Sequence, residues 1–240
     1  MRNQFFGDVN DYIKYGLLRA ICDPQQLPLA VCWMLTVDGD TNDGRRTGYL
    51  DQPQSWRHMD PHLYDLLGAA VRAKRRTVTW AREHHLLPEA CYHERIVPPG
   101  GPEREAYFGE LWEIAPHSQI VFFDPDIGIE VPSVGYYSRR SPQYVCWSEL
   151  REAYDRGLSV LVYQHYPRKK HDIFAAETIA ELGQRLQAED VWGYSTSSVL
   201  FLLAAQPRHT DLVAARSQQF AMRWGAYVHV VESSAEPTES

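Results

Sequence analysis

The chain alternates between short apolar runs and longer amphipathic segments. Apolar residues recur at helical spacing in five segments, which predict helices over residues 11–21, 62–86, 103–114, 149–156 and 174–186. Nearly continuous apolar runs predict buried strands over residues 29–36, 120–123, 158–163, 199–204 and 227–231. Strands that alternate with helices favour an α/β fold with a mostly parallel, Rossmann-like sheet and helices on both of its faces.

Composition and length narrow this picture to one globular unit. The 240 residues contain no repeat and no long linker, so we expect a single α/β catalytic domain over residues 1–231, followed by a disordered acidic tail over residues 232–240. No apolar run approaches the roughly 18 residues of a membrane span, and the first residues lack the apolar core of a signal peptide. We therefore expect a cytoplasmic protein with no membrane contact and no obligate protein partner.

Polar segments follow three of the predicted strands. They cover residues 37–48, 124–128 and 164–170. In parallel sheets, ligands bind outside the carboxyl ends of the strands. We therefore expect these segments to converge on one crevice.

Two acidic residues begin the middle segment. Asp124 and Asp126 flank Pro125 directly after the strand over residues 120–123. Carboxyl groups this close repel each other, which raises one pKa and suits water activation or general acid/base catalysis. The structural alternative is that Asp124 caps a following helix and Pro125 fixes the turn.

The loop before the first predicted helix adds two candidates. Asp8 and Asn10 follow Gly7 there, and either one can cap the helix. If the loop folds over the strand ends, the helix N-terminus can hold an anion or a water nucleophile. Otherwise the segment is only a capping loop.

The third polar segment, residues 164–170, contains a candidate catalytic histidine. His165 follows the strand over residues 158–163, where an imidazole can orient water, stabilise an oxyanion or hold a phosphate; the alternative is a structural role. The other nine histidines form no H-E-x-x-H pattern, and the four cysteines form no C-x-x-C pair, so no metal is expected. The acidic loop over residues 38–44 departs from a calcium loop, since Tyr49 replaces the final Glu.

The basic residues are unevenly distributed along the chain. A net charge of −7 argues against a uniformly basic nucleic-acid binder, but arginines and lysines cluster beside aromatic residues. Such clusters hold phosphates and stack bases, although each alone is also typical of a solvated face. The predicted nucleic-acid contacts are Arg45, Tyr136, Arg139, Arg140, Tyr166, Arg168 and Lys169.

Three motifs resemble those of an uncharacterised bacterial family. They are GDxNDYxKYGLLR over residues 7–19, FFDPDxG over residues 122–128 and YQHxPR over residues 163–168. The resemblance spans most of the chain. It implies no activity.

The sequence is also similar to two characterised groups. Residues 7–15 are similar to the G-N-x-A-D-x-x-K-H of adenine-N6 methyltransferases of large-subunit ribosomal RNA, and residues 124–127 to their D-P-P-Y. The G-x-G loop after the first strand is missing, and Asp126 and Ile127 replace the second proline and the tyrosine. In the uracil-DNA glycosylase superfamily, an Asp or Asn after a strand positions water, and residues 7–10 or, alternatively, Asp124 and Pro125 are similar to that motif. His165 and Pro167 are similar to that superfamily's late H-P-S-P motif.

The missing cofactor loop favours hydrolysis over methyl transfer. We expect a DNA glycosylase without a cofactor that excises a modified or foreign base, as a defence against phage DNA would need. Asp124 or Asn10 would position water, Asp126 or Asp8 would stabilise the sugar cation, and His165 would support the departing base. The alternatives are an S-adenosylmethionine-dependent adenine-N6-type nucleic-acid methyltransferase, then a nuclease with Asp124, Asp126 and Glu130 around magnesium, and then a non-enzymatic binding module.

Overall fold

A computed structural model describes residues 1–37, 44 and 46–233 of the chain. The described helices are α1 (Val9–Ile21), α2 (Pro53–Trp56), α3 (Pro61–Arg72), α4 (Val78–Glu83), α5 (Pro102–Ile114), α6 (Trp147–Asp155), α7 (His171–Leu186) and α8 (Thr210–Trp224). The strands are β1 (Leu29–Cys32), β2 (Cys91–His93), β3 (Ile120–Phe123), β4 (Gly128–Ile129), β5 (Tyr144–Val145), β6 (Ser159–His165), β7 (Val191–Ser195), β8 (Val199–Ala204) and β9 (His229–Glu232).

Seven strands form the central sheet in the order β2-β1-β3-β6-β8-β7-β9. The first four are parallel neighbours, so their carboxyl ends share one edge. β8 runs antiparallel to both β6 and β7, and β9 runs antiparallel to β7. The predicted mostly parallel α/β sheet is therefore confirmed, with an antiparallel strand inserted beside β6.

Alternate residues of the central strands point into two separate cores. Phe122 of β3 and Leu161 of β6 pack on the side of α1, α3 and α8. Phe123 and Val162 pack on the side of α5, α6 and α7. Both faces of β3 are buried, which explains its unbroken apolar sequence.

A second sheet of two strands stands beside the carboxyl edge. β4 pairs in parallel with β5, and the Gln164 side chain of β6 accepts a 2.9 Å hydrogen bond from the Ile129 backbone N–H. Gly128 has a φ of +143°, and a Cβ there would lie 2.2 Å from Gln164 Oε1. Only glycine fits this approach without strain.

Several predicted boundaries were wrong. The predicted helix over residues 62–86 is two helices, α3 and α4, separated by a turn with Lys74 at a φ of +57°. The strand over residues 29–36 ends at Cys32, and Met34 has a φ of +45°. Glu232, assigned to the tail, belongs to β9, whereas residues 234–240 lie outside the described part of the chain. No helix in the described ranges is long and apolar enough to cross a bilayer.

Candidate functional site

Helix α1 brings a buried lysine to the carboxyl end of β3. Lys14 Nζ lies 2.7 Å from Asp124 Oδ2 and 2.7 Å from Asp11 Oδ1, and none of the three side chains is more than 5% exposed. Burial lowers the lysine pKa, but the two carboxylates outweigh it and raise the pKa above its usual value. Asp124 does not cap a helix, since β4 is the next element. The triad joins the first two sequence motifs.

Asp126 is held by a second set of cations. Its carboxylate lies 3.0 Å from the Met1 amino group and 3.1 Å from Arg2 Nε, and it accepts a 2.5 Å hydrogen bond from Thr36 Oγ1. Burial opposes ionisation, yet the amino group, the Thr36 hydroxyl and Arg2 hold the pKa of Asp126 below its usual value. The carboxylate is therefore charged and ion-paired at neutral pH.

Three of the predicted catalytic residues are acids: Asp8, Asp124 and Asp126. Of these, Asp8 alone has no cation in direct contact among the described residues. It is 4% exposed and caps α1, where it accepts a 2.9 Å hydrogen bond from the Asp11 backbone N–H. Burial, followed by the negative charge of Asp11, raises the pKa of Asp8 to about 7. A carboxyl group with this pKa can exchange a proton at neutral pH, as a general acid or base must.

His165 lies on the face of the sheet that α1 covers. Its Nε2 lies 3.2 Å from the Tyr163 hydroxyl, and Tyr163 packs edge-on against Phe201 in the core below α1. Burial lowers the pKa of His165, although the negative charges of Asp124 and Asp126 oppose the shift. The imidazole is therefore neutral at pH 7 and can donate or accept a hydrogen bond.

A cleft of about 380 Å³ opens at the N-terminal end of α1. Asn10 borders it, and Asn10 Oδ1 accepts a 2.9 Å hydrogen bond from Ser198 Oγ, which lies 3.0 Å from Arg46 Nη1. Trp56 and Tyr227 stack with ring centroids 3.7 Å apart in the same wall. Aromatic faces beside an amide and a guanidinium suit a planar ligand that carries hydrogen-bonding groups.

The predicted phosphate contacts form two exposed groups on the carboxyl edge. Arg139 and Arg140 lie in the loop before β5, where Arg140 Nη2 donates to the Tyr144 hydroxyl at 3.3 Å. Tyr136 lies against the Arg104 guanidinium, 6.0 Å from its ring centroid.

The second group follows β6. Tyr166 donates or accepts a 2.7 Å hydrogen bond with Ser195 Oγ, Arg168 is exposed, and Lys169 pairs with Glu177. The interaction with Glu177 leaves Lys169 less available for phosphate than Arg168. Arg45, the remaining predicted contact, lies outside the described residues.

The three acids proposed as magnesium ligands are separated by their partners. Asp124 and Asp126 bind cations of the chain, and Glu130 accepts a 2.7 Å hydrogen bond from the Trp147 backbone N–H. Within the described ranges, no three His, Cys, Asp or Glu side chains are grouped as metal ligands.

A larger groove of about 960 Å³ lies at the opposite edge of the sheet, beside Leu29 at the start of β1. Two of its arginines are tied to the chain. Arg19 pairs with Asp60, and Arg216 donates to the Ile21 carbonyl. None of the predicted site residues lines this groove.

The structure thus groups Asp8, Asn10, Asp124, Asp126 and His165 at one edge, but it gives them different surroundings. Sequence reasoning overlooked Lys14, the partner of Asp124, and gave Arg46 no specific role at the cleft. A signal for Lys14 was present, because this lysine stands between Ile13 and Tyr15 in a helix whose residues 11–18 are all buried. The cleft had no such signal, since its wall combines residues from distant segments.

Comparisons with known proteins give a distant likeness of fold. No family model and no curated protein matches the sequence. The fold is similar to the crystal structure of LPL1258 from Legionella pneumophila str. Philadelphia 1, assigned to the family model DUF519, with 9% identity over 96% of this chain and 98% of that one. The TM-score is 0.49, a likeness too weak to bear on activity.

Proposed function

We propose that the protein is a DNA glycosylase-type hydrolase that removes a modified base from DNA. The observation that carries the proposal is the aromatic cleft at the start of α1, next to a buried carboxyl group whose pKa is about 7. Asp8 directly precedes Val9 and Asn10, which line the cleft. A flipped base would stack on the aromatic wall, and its polar edge would meet Asn10 and Arg46.

Asp124 and Asp126 have other roles in this proposal than those predicted from the sequence. Asp124 and Asp126 are bound to buried cations, so they support the site by fixing Lys14 and residues 1–2 against β3. Asn10 and Asp8 remain as the groups beside the cleft. In this proposal, Asn10 positions the water molecule and Asp8 accepts the proton that the water loses.

The proposed reaction is a simple hydrolysis. The bond between the sugar C1′ and the base nitrogen breaks, and its electron pair leaves with the base. The water oxygen bonds to C1′ and its proton passes to Asp8. His165 donates a hydrogen bond at the edge of the site to the departing base. The departing base takes up a proton from solvent and Asp8 releases its proton to solvent, so the products are a free base and an abasic sugar, and no cofactor is required.

Alkali treatment tests the proposal, because abasic sites break in alkali. The protein is incubated with oligonucleotides that carry single modified bases, and wild type is expected to give alkali-dependent breaks. Asp8→Asn is expected to lower the rate at least about 100-fold, a loss typical of removing general acid/base catalysis. Asp60→Asn is the matched control, since Asp60 caps α3 in the same way but borders the opposite groove.

The rate should also depend on pH. A base with a pKa of about 7 is protonated and inactive in acid, so the rate is expected to rise through pH 7 and level above it. Intact strands across a broad set of modifications would contradict the proposal. A wild-type rate in Asp8→Asn would contradict the role of Asp8.

A base methyltransferase is the second candidate, and one observation favours it. Asp11, Lys14 and Asp124 occupy matching positions in the two segments similar to the ribosomal RNA methyltransferases, and the structure joins these three side chains. Calorimetry with S-adenosylmethionine separates the candidates. Micromolar binding would favour methyl transfer, and no binding would favour hydrolysis.

A further inference from the structure

We infer that single-stranded DNA reaches the cleft along a track formed by Tyr137, Arg139, Arg140, Tyr166, Arg168 and His171. This inference rests on the proposed function, because the cleft is taken as the base pocket. It adds two residues that sequence reasoning did not assign, Tyr137 and His171, and it names the form of the nucleic acid.

The first half of the track adjoins the cleft. Thr196 and Ser197 line the cleft, and the neighbouring Ser195 hydroxyl lies 2.7 Å from the Tyr166 hydroxyl. The Tyr166 ring stacks on the His171 ring with centroids 3.7 Å apart and planes 8° from parallel. His171 is exposed and Tyr166 is half-buried, so this stacked pair presents a planar surface that the Tyr166 hydrogen bond links to Ser195, the residue before Thr196 of the cleft wall.

In the second half of the track, the backbone of Ile127 connects the two basic groups. The backbone N–H of His165 donates to the Ile127 carbonyl at 2.7 Å, and the Ile127 N–H donates to the Gln143 carbonyl at 2.9 Å. Two backbone hydrogen bonds, both made by Ile127, therefore connect residues 165 and 143. Arg168 lies three residues beyond the first, and Arg140 lies three residues before the second. The two basic groups thus flank one short stretch of backbone.

The cations of the track are available to a ligand. Within the described ranges, the side chains of Arg139 and Arg168 have neither an ion-pair nor a hydrogen-bond partner, and both are exposed. Arg140 contacts only a hydroxyl. Six other exposed arginines, Arg156 among them, form ion pairs with acidic side chains, and so does the half-buried Arg151. In a protein with a net charge of −7, two unpaired arginines that share one track favour an anionic ligand.

Exposed aromatic rings favour a single strand over a duplex. Tyr137 is 78% exposed, and its ring packs edge-on against Tyr136 at 5.1 Å, which holds it in place. A ring fixed at the surface stacks an unpaired base, and such stacking tolerates any base. Bases in a duplex are already stacked on one another. The track therefore combines phosphate contacts with stacking faces, as single-strand binding surfaces do.

Fluorescence anisotropy with a labelled single strand of mixed sequence tests the inference, in a salt series. The 240-residue protein is expected to bind the strand at least about ten-fold more tightly than the same sequence as a duplex. Arg139→Ala combined with Arg140→Ala is expected to reduce the slope of log affinity against log salt by about 1.4, at about 0.7 per lost phosphate contact. Tyr137→Ala is expected to weaken binding about ten-fold.

The matched control is Arg151→Ala combined with Arg156→Ala, which removes the same charge from α6 and is expected to leave binding unchanged. Equal binding of single strand and duplex would overturn the inference, as would an unchanged salt slope in the Arg139 and Arg140 variant. Tighter binding of the same strand made of RNA would overturn the choice of DNA. Asp8→Asn is expected to bind normally, so a failure of catalysis is distinguishable from a failure of the track.

Discussion

At the residue scale, Lys14 holds the candidate site together. Its ammonium group lies between Asp11 and Asp124 with a side-chain exposure of 1%, and the same group lies over the Trp33 ring at 5.1 Å from the centroid. Two carboxylates around one lysine would repel each other strongly without it. The lysine therefore determines whether α1 can pack on the end of β3.

Lys14→Met should destabilise the fold strongly. Removing one partner from a buried ion pair leaves uncompensated charge, and the expected loss in the free energy of unfolding is about 3–5 kcal/mol. Urea unfolding measures it. Lys170→Met is the control, because Lys170 is exposed, and it should change stability by less than about 0.5 kcal/mol. A Lys14→Met variant as stable as wild type would mean that the ion pairs are energetically unimportant.

Individual site residues were predictable only in part. Asp124 and Asp126 follow β3, and His165, predicted to follow its strand, is the last residue of β6, so their position at the carboxyl edge followed from the sequence. Their partners did not, because the Met1 amino group and Thr36 come from segments far from Asp126 in the chain. Sequence proximity of Asp124 and Asp126 suggested mutual repulsion. The structure instead gives each carboxylate its own cation.

At the scale of elements, α1 is positioned by close contact with α8. Gly16 lies where a Cβ would stand 2.2 Å from Trp224 Cζ2, so the helices approach over a glycine. Trp224 is 2% exposed and its ring also packs on Tyr12 at 5.0 Å. The position of the α1 N-terminus, and with it Asp8, depends on this contact.

Two glycine substitutions test the contact. Gly16→Ala should lower the free energy of unfolding by about 1–3 kcal/mol, the usual cost of overpacking a core. Gly109→Ala in α5 is the matched control, because a Cβ there meets no heavy atom within 4 Å. That control should be more stable than wild type by about 0.5–1 kcal/mol, since alanine favours a helix. Thermal unfolding measures both, and equal effects would contradict the contact.

The element pattern itself was largely readable from sequence. Four helices and five strands of the central sheet followed from periodicity, but the helix over residues 62–86 is two helices, and β2, β7 and α8 were among the elements overlooked. β7 contains Gly193 and Ser195 among its five residues, so its apolar run is broken. α8 carries only four buried residues across fifteen positions, and its polar surface masked the helical spacing. The inserted antiparallel β8 depends on tertiary pairing, which local patterns do not encode.

At the scale of the whole molecule, stability should depend on pH through Asp8. Its pKa is about 7 in the folded protein and about 3.8 when unfolded, so the folded state binds the extra proton between these values. The stability contributed by Asp8 is therefore lost as pH rises from about 4 to 7. The variants Asp8→Asn and Asp8→Ser retain a side chain that can cap α1 but that does not ionise in this pH range.

Relative to wild type, both variants should gain stability across this pH range, on the order of 2–4 kcal/mol by pH 8. Urea unfolding at a series of pH values measures the gain. A difference from wild type that stays constant between pH 4 and pH 8 would show that burial does not raise the Asp8 pKa.

Mass spectrometry of the reaction products shows directly whether the protein removes a base from DNA. Single-stranded DNA that carries modified bases is incubated with the protein and S-adenosylmethionine together, and both the strand and the small molecules are weighed. We expect a free base, a strand with one abasic site and no added methyl group, and we expect Asp8→Asn to yield neither the free base nor the abasic site. A strand heavier by one methyl group, or release of base at the wild-type rate by Asp8→Asn, would contradict the proposal.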